Sequence, residues 1–156
     1  AKRWPLERFA EVANRLSAQL PDIGWVLVGA PGEREMGVKL SSLLTQSRHQ
    51  NLVGQTSLTE LIACLRGCRL LLTNDTGTMH LAAALGVPTV SVFGSTEPVL
   101  TGPAGANHRV VRHHVPCSPC FARECPLGHF RCMREISVAQ VLEEMKKSGP
   151  GPVDSS

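Results

Sequence analysis

Tyrosine is absent from the 156 residues, and two tryptophans with four phenylalanines bring the aromatic content to only 4%. A groove that stacks successive bases of a single strand has no parts to draw on in such a chain. Long blocks of one charge are missing too: the net charge is +3, and basic residues are interleaved with acids, as in Glu33-Arg34-Glu35 and Glu143-Glu144-Met145-Lys146-Lys147. Nucleic acid is therefore not the expected partner. No window reaches the ~18 consecutive apolar residues of a membrane span. The opening "AKRWPLERF" has no signal-peptide apolar core, so the chain is expected to be soluble and unexported.

With 42% hydrophobic and 19% charged residues, the chain can bury one good core and is too short for two ordinary domains. One domain is expected over 1–147, followed by a disordered tail, "SGPGPVDSS", over 148–156. The chain begins at Ala1 without a methionine, which suggests a piece of a longer protein.

Apolar spacing then sets out the elements. Leu6, Phe9, Val12, Ala13, Leu16 and Leu20 recur at helical intervals between Pro5 and Pro21. "GWVLVGA" reads as a buried strand, "EREMGVKLSSLLTQ" as a helix, and "NLVG" as a brief second strand. Ser57 and Glu60 have the spacing of a capping box ahead of "LTELIACLRGC". Strand "RLLLT", helix "MHLAAALG", strand "VPTVSVFG", a Gly- and Pro-bearing loop, strand "HRVVR" and a last helix "SVAQVLEEMKK" capped by Ser137 complete the chain. Alternating strands and helices with near-continuous apolar strands predict an α/β fold, a parallel sheet with helices on both faces.

Three stretches could carry chemistry. In "TNDTGTMH" a buried strand opens into small polar residues at a helix start, where unpaired backbone N–H groups attract an anion. Gly77 lets a ligand approach the backbone, Thr76 and Thr78 add hydroxyls, and His80 stands one turn further along. The same residues are also compatible with Asp75 as a plain helix cap and His80 as an ordinary helix residue. Lys2 and Arg3 in "AKRWP" could bind a phosphate, or be two solvated charges. "GAPGERE" lacks both the dinucleotide fingerprint and the P-loop spacing, although Glu33 lies beyond a strand end where a ribose would be held.

Together, "AKRWP", "LVGAPGERE", "GQTSLTELIACL", "TNDTGTMHLAAALGVPTVSVFGST" and "SVAQVLEEM" resemble the carboxyl-terminal half of the lipopolysaccharide heptosyltransferases of glycosyltransferase family 9, the heptosyltransferase II type above all. The resemblance implies the GT-B arrangement, in which two Rossmann-like domains face each other and the second holds the nucleotide sugar. It implies an inverting enzyme that adds heptose from ADP-heptose to the lipopolysaccharide inner core. Lys2 would hold a phosphate, Glu33 the ribose, and Thr56 would lie near the adenine; Asp75, Thr76, Gly77 and His80 would surround the diphosphate and the heptose. No metal or other cofactor is implied for catalysis.

The family's general base and its surface for the lipopolysaccharide acceptor lie in the amino-terminal domain, so no catalytic base is expected in this chain and the fragment alone should be inactive. The implied location is cytoplasmic, at the inner face of the inner membrane, through peripheral association. A related transferase using another nucleotide sugar, or a non-catalytic metal-stabilised nucleotide-binding module, are the alternatives.

Cys117, Cys120, Cys125 and Cys132 run C-x2-C-x4-C-x6-C within a loop over 116–133, with His129 between the last pair. Four thiols in sixteen positions suit a tetrahedral zinc, but the spacing is not a standard one. Structural zinc, free or oxidised thiols, and disulfides all stay open. Cys64 and Cys68, one helical turn apart, read as small core residues.

Overall fold

The computed structural model describes residues 3–94, 107–122 and 124–148. Lys2, the loop over 95–106 and the tail from 149 lie outside the described residues. The chain forms two compact units, one of residues 5–63 and the other of residues 64–148 with the short segment 3–4.

In the first unit, α1 (Leu6–Gln19) starts directly after Pro5, which at φ −54° and ψ 136° is not yet helical and stands as the cap. Its apolar stripe buries Ala10, Val12, Ala13 and Leu16. Strand β1 (Trp25–Leu27) follows, then a 3-10 turn at Pro31–Glu33, helix α2 (Arg34–Leu43) and strand β2 (His49–Asn51). Ala10, Ala13 and Leu44 pack with Trp25, Leu27, Leu40 and Leu43. Asn14 fastens α1 to the end of α2: its amide donates to the Leu43 carbonyl at 3.0 Å, and its Oδ1 accepts from Gln46 N at 3.1 Å. A helix end's orphan carbonyl is thereby satisfied. β1 and β2 pair in parallel, and Gly54 N donating to Gly29 O at 2.9 Å prolongs the ladder past the strand ends.

Helix α3 (Leu58–Arg66) opens with the expected capping box: Glu60 N donates to Ser57 Oγ at 3.1 Å, and Ser57 N to Glu60 Oε1 at 3.0 Å. Cys64 and Cys68 are only half-buried, and the core position on this helix belongs to Leu65. The Cys68 thiol donates to the Cys64 carbonyl at 3.2 Å, closing the turn at the helix end.

The second unit holds a three-stranded parallel sheet in the order β3 (Leu71–Asn74), β4 (Thr89–Phe93), β5 (His108–Arg112). Central β4 is buried along its whole length. Helix α4 (Gly77–Ala84) connects β3 to β4 and ends in a Schellman turn, with Gly86 N donating to Ala83 O and Val87 N to Ala82 O. Gly86 takes φ +75°, which a side chain would resist. After β5 the chain makes a short helix, α5 (Arg131–Arg134), that the sequence pattern does not announce. The last helix, α6 (Val138–Ser148), is capped by Ser137 as expected, whose Oγ accepts from Gln140 N at 3.1 Å. α6 includes Ser148, so the helix overruns the expected tail boundary by one residue.

All the described strand pairs are parallel, as the alternation of elements predicts for an α/β fold; they form a two-stranded and a three-stranded sheet. Trp4 is 1% exposed and belongs to the second unit. Its indole N–H donates to the Ile136 carbonyl at 3.1 Å, and its backbone N–H to Asn74 Oδ1 at 2.9 Å. Trp4→Phe keeps most of the packing but withdraws the buried donor, at a cost of about 1–2 kcal/mol. Trp4→Ala should cost ~3–5 kcal/mol. Urea unfolding midpoints are expected in the order Trp, Phe, Ala, and a phenylalanine variant as stable as the parent would mean that the indole hydrogen bond contributes nothing.

Candidate functional site

Strand β3 delivers the chain to the start of α4 through only two residues, Asp75 and Thr76. Thr76, not Asp75, is the helix cap: it is extended at φ −143° and ψ 169°, and its Oγ1 accepts from Met79 N at 3.4 Å. This corrects the plain-cap reading of Asp75. A second hydrogen bond, 3.2 Å between the hydroxyls of Thr73 and Thr76, holds the turn from the strand side. Asp75 itself is buried at 6% exposure, while Met79 beneath the first turn is fully buried.

The outer side of this junction is open. Thr76, Gly77 and His80 are exposed, and a Cβ added at Gly77 would meet nothing within 4 Å. The first turn of α4 carries no acidic residue. Its leading N–H groups have no intrahelical acceptor, and the helix dipole places about half a positive charge there. An accessible helix start of this kind can hold a phosphate oxygen.

The structure therefore brings Asp75, Thr76, Gly77 and His80 together at one junction, Asp75 turned inward and the other three outward. Glu33 and Thr56 belong to the other unit. Glu33 lies past the carboxyl end of β1, where its Oε2 accepts from Ala30 N at 2.8 Å and closes the 3-10 turn. Gly29 makes room for that carboxylate, since a Cβ there would lie 2.6 Å from Glu33 Oε2. Thr56 is half-buried just past the carboxyl end of β2, next to the Ser57 cap. Lys2 lies outside the described residues.

Two participants escape a reading of the sequence. Thr73 and Asn74 look like the last residues of a strand, yet one ties down the Thr76 hydroxyl and the other receives the Trp4 backbone N–H. The polar "TN" after three leucines is the signal that could have found them.

The cysteine loop is a second feature. All six cysteines are free thiols, and Cys117, Cys120, Cys125 and Cys132 border one small cavity. Backbone N–H groups, that of Phe130 foremost, hold the Cys125 thiol below the ordinary range. Burial pushes the Cys132 thiol up, and neighbouring charge on Cys117, Cys120 and Cys125 adds to the rise. Among the described residues, no three or more His, Cys, Asp or Glu side chains are gathered closely enough to hold a metal as they stand.

Comparison with known proteins gives the family of the chain. The sequence profile of "Glycosyltransferase family 9 (heptosyltransferase)" matches residues 1–131. Lipooligosaccharide heptosyltransferase 2 of Campylobacter jejuni is 35% identical over 150 residues, spanning 94% of this chain and 46% of that protein. The structure of E. coli ADP-heptose lipopolysaccharide heptosyltransferase II superposes with a TM-score of 0.80 at 31% identity, over 95% of this chain and 42% of that one. E. coli heptosyltransferase WaaC, solved with ADP, superposes with a TM-score of 0.69 at 25% identity, over 95% of this chain and 40% of its own. The chain thus spans less than half the length of these relatives. With a profile covering most of its length and a relative above 30% identity along nearly all of it, the chain belongs to glycosyltransferase family 9, the heptosyltransferase family.

Proposed function

We propose that this chain is the donor-binding part of an inverting heptosyltransferase that moves heptose from ADP-heptose to the lipopolysaccharide inner core. The observation that carries the reading is the open start of α4, where a family-9 chain exposes Thr76 and Gly77, with free space over the glycine, at a first turn that carries no acidic residue. The heptosyltransferase names of its relatives support the reaction class, and the ADP in the WaaC structure supports the nucleotide.

In this reading the acceptor hydroxyl oxygen attacks the anomeric carbon, the bond from that carbon to the diphosphate breaks, and the hydroxyl proton passes to a base. Charge then builds on the departing ADP. The N–H groups at Gly77 and Thr78, with the Thr76 hydroxyl and His80 beside them, receive that charge without rearranging, which is the condition for electrostatic stabilisation of a leaving group. Asp75, being buried, positions the turn and takes a sugar hydroxyl only at its edge. Glu33 holds the ribose by exchanging its bond to Ala30 N for the sugar hydroxyls, Thr56 lies near the base, and Lys2 meets a phosphate. No metal or other cofactor serves the leaving group.

The base and the acceptor surface lie in the half of the enzyme that this chain does not match. A nucleotide-sugar donor fits a cytoplasmic enzyme working at the inner face of the inner membrane, and no described helix is long and apolar enough to cross a membrane.

Calorimetric titration should detect ADP binding that saturates by about 1 mM. Gly77→Val should leave stability within ~0.5 kcal/mol, because a Cβ there has open space within 4 Å and valine is the better helix former. The same change should weaken ADP roughly tenfold, or about 1.4 kcal/mol, by covering the backbone. A folded parent that ignores millimolar ADP, or a valine variant that binds like the parent, sinks the assignment. UDP and GDP sugars run beside ADP-heptose separate this donor from its alternatives.

Transfer to a heptose-deficient lipopolysaccharide core should be absent with this chain alone and present once an amino-terminal family-9 domain is joined to it. General-base catalysis requires hydrogen-bond reach to the attacking hydroxyl, and His80 stands on the donor side. Turnover by the isolated chain would place the base here, with His80 the first residue to replace.

A further inference from the structure

We propose that Cys117, Cys120, Cys125 and Cys132 bind a single zinc ion as four thiolates, and that this ion fastens the loop between β5 and α6. The donor site plays no part in the argument.

All four thiols border the same small cavity, although they come from a stretch of sixteen residues that includes no regular element except α5. Pro126 and Leu127 line the same cavity, but Leu127 is 63% exposed and Phe121 52%, so burial of the loop's own apolar side chains accounts for little of that convergence. Its two ends are meanwhile firmly held: Val115 is 2% exposed, Ser118 Oγ donates to the Gly94 carbonyl at 2.6 Å, and Met133 and Ile136 are buried beyond Cys132.

The groups around the thiols are those that zinc sites place behind their ligands. Cys125 begins a turn closed by Gly128 N donating to Cys125 O at 3.0 Å, with Gly128 at φ +71°, and this turn brings Phe130 N to donate to Cys125 Sγ at 3.5 Å. His129 is oriented with equal definition. Its Nδ1 accepts from Arg131 N at 3.1 Å, so the neutral ring carries its proton on Nε2, which stands 3.8 Å from Cys117 Sγ. The histidine is thus a donor to a ligand sulfur and not itself a ligand.

Backbone strain points the same way. Phe121 and Phe130 both lie in the left-handed region, at φ +57° and +52°. Bulky residues hold that conformation only where the surroundings impose it. Each is within two residues of a proposed ligand, where a cross-link would impose it.

Tetrahedral zinc with sulfur at ~2.3 Å needs the four sulfurs about 3.8 Å apart. The thiols are not gathered that closely. Binding therefore draws them inward; zinc replaces the four thiol protons, which pass to solvent, and leaves a centre of net charge −2.

The test begins with the reduced protein, purified without chelator and assayed for metal by mass spectrometry. One zinc per chain is expected, with four thiols that react with Ellman's reagent only after a chelator is added. Cobalt(II) alone, added to the chelated protein, should produce the charge-transfer and ligand-field absorption of a tetrahedral thiolate site. Cys120→Ser, at an exposed position where folding is least at risk, should change that spectrum and weaken metal binding at least tenfold. Cys64→Ser should change neither.

A folded, reduced sample with no stoichiometric metal and no cobalt–thiolate absorption overturns the proposal, as does a cobalt spectrum indifferent to Cys120→Ser. Iron in place of zinc on the same thiols would overturn the choice of metal. ADP affinity is not a readout here, so neither result bears on the donor reading.

Discussion

A parallel strand that runs straight into a helix leaves the helix's first N–H groups without partners, and the second unit is arranged around that fact. Central β4 is buried throughout, which fixes β3 beside it and so fixes where α4 can begin. The Schellman turn at Gly86 returns the chain to β4 at once. With strand and helix both held, the two residues between them have little freedom. The Thr73–Thr76 hydroxyl contact and the Thr76 cap then hold the junction from its inner side, while Thr76 and Gly77 stay exposed on its outer side.

Periodicity made much of this legible, because burying apolar side chains is what selects both elements and faces. The fifth strand, "HRVVR", was read to the residue, and so were the capping box of Ser57 with Glu60 and the cap at Ser137. Other features depend on distance in space. That Trp4 belongs with residues 64–148 follows from its hydrogen bonds to Asn74 and Ile136, 70 and 132 positions away. Spacing cannot encode such a partner. Helix α5 spans four residues, too few for any repeat to register, and its burial of Cys132 and Met133 comes from the tertiary setting. Cys64 and Cys68 have core spacing but are half-buried, since Leu65 takes the core position on that helix.

The candidate site was legible in part for a related reason. Small polar residues after an apolar strand signal that a backbone is to be approached, and that signal picked out Thr76, Gly77 and His80. Assigning the cap was beyond it. Asp and Thr are both good N-caps, and only the extended backbone of Thr76 and its bond to Met79 N decide between them. For Glu33 the sequence located the strand end but not the carboxylate's present partner, Ala30 N, which a ribose would displace on the proposed reading.

The burial of Asp75 sharpens what the junction can do. A carboxylate close to a helix start draws on the same positive field that a phosphate would use, so on one face the two would compete and repel. The structure separates them: Asp75 is 6% exposed, while Gly77 and Thr76 face solvent. A diphosphate can then reach the N–H groups from outside without meeting the carboxylate head-on. Backbone N–H groups recognise the phosphates of any nucleotide alike. On the proposed donor reading, choice among sugars would therefore come from side chains around them, and with Asp75 at the inner margin of the junction the exposed Thr76 and His80 are the side chains on its outer rim.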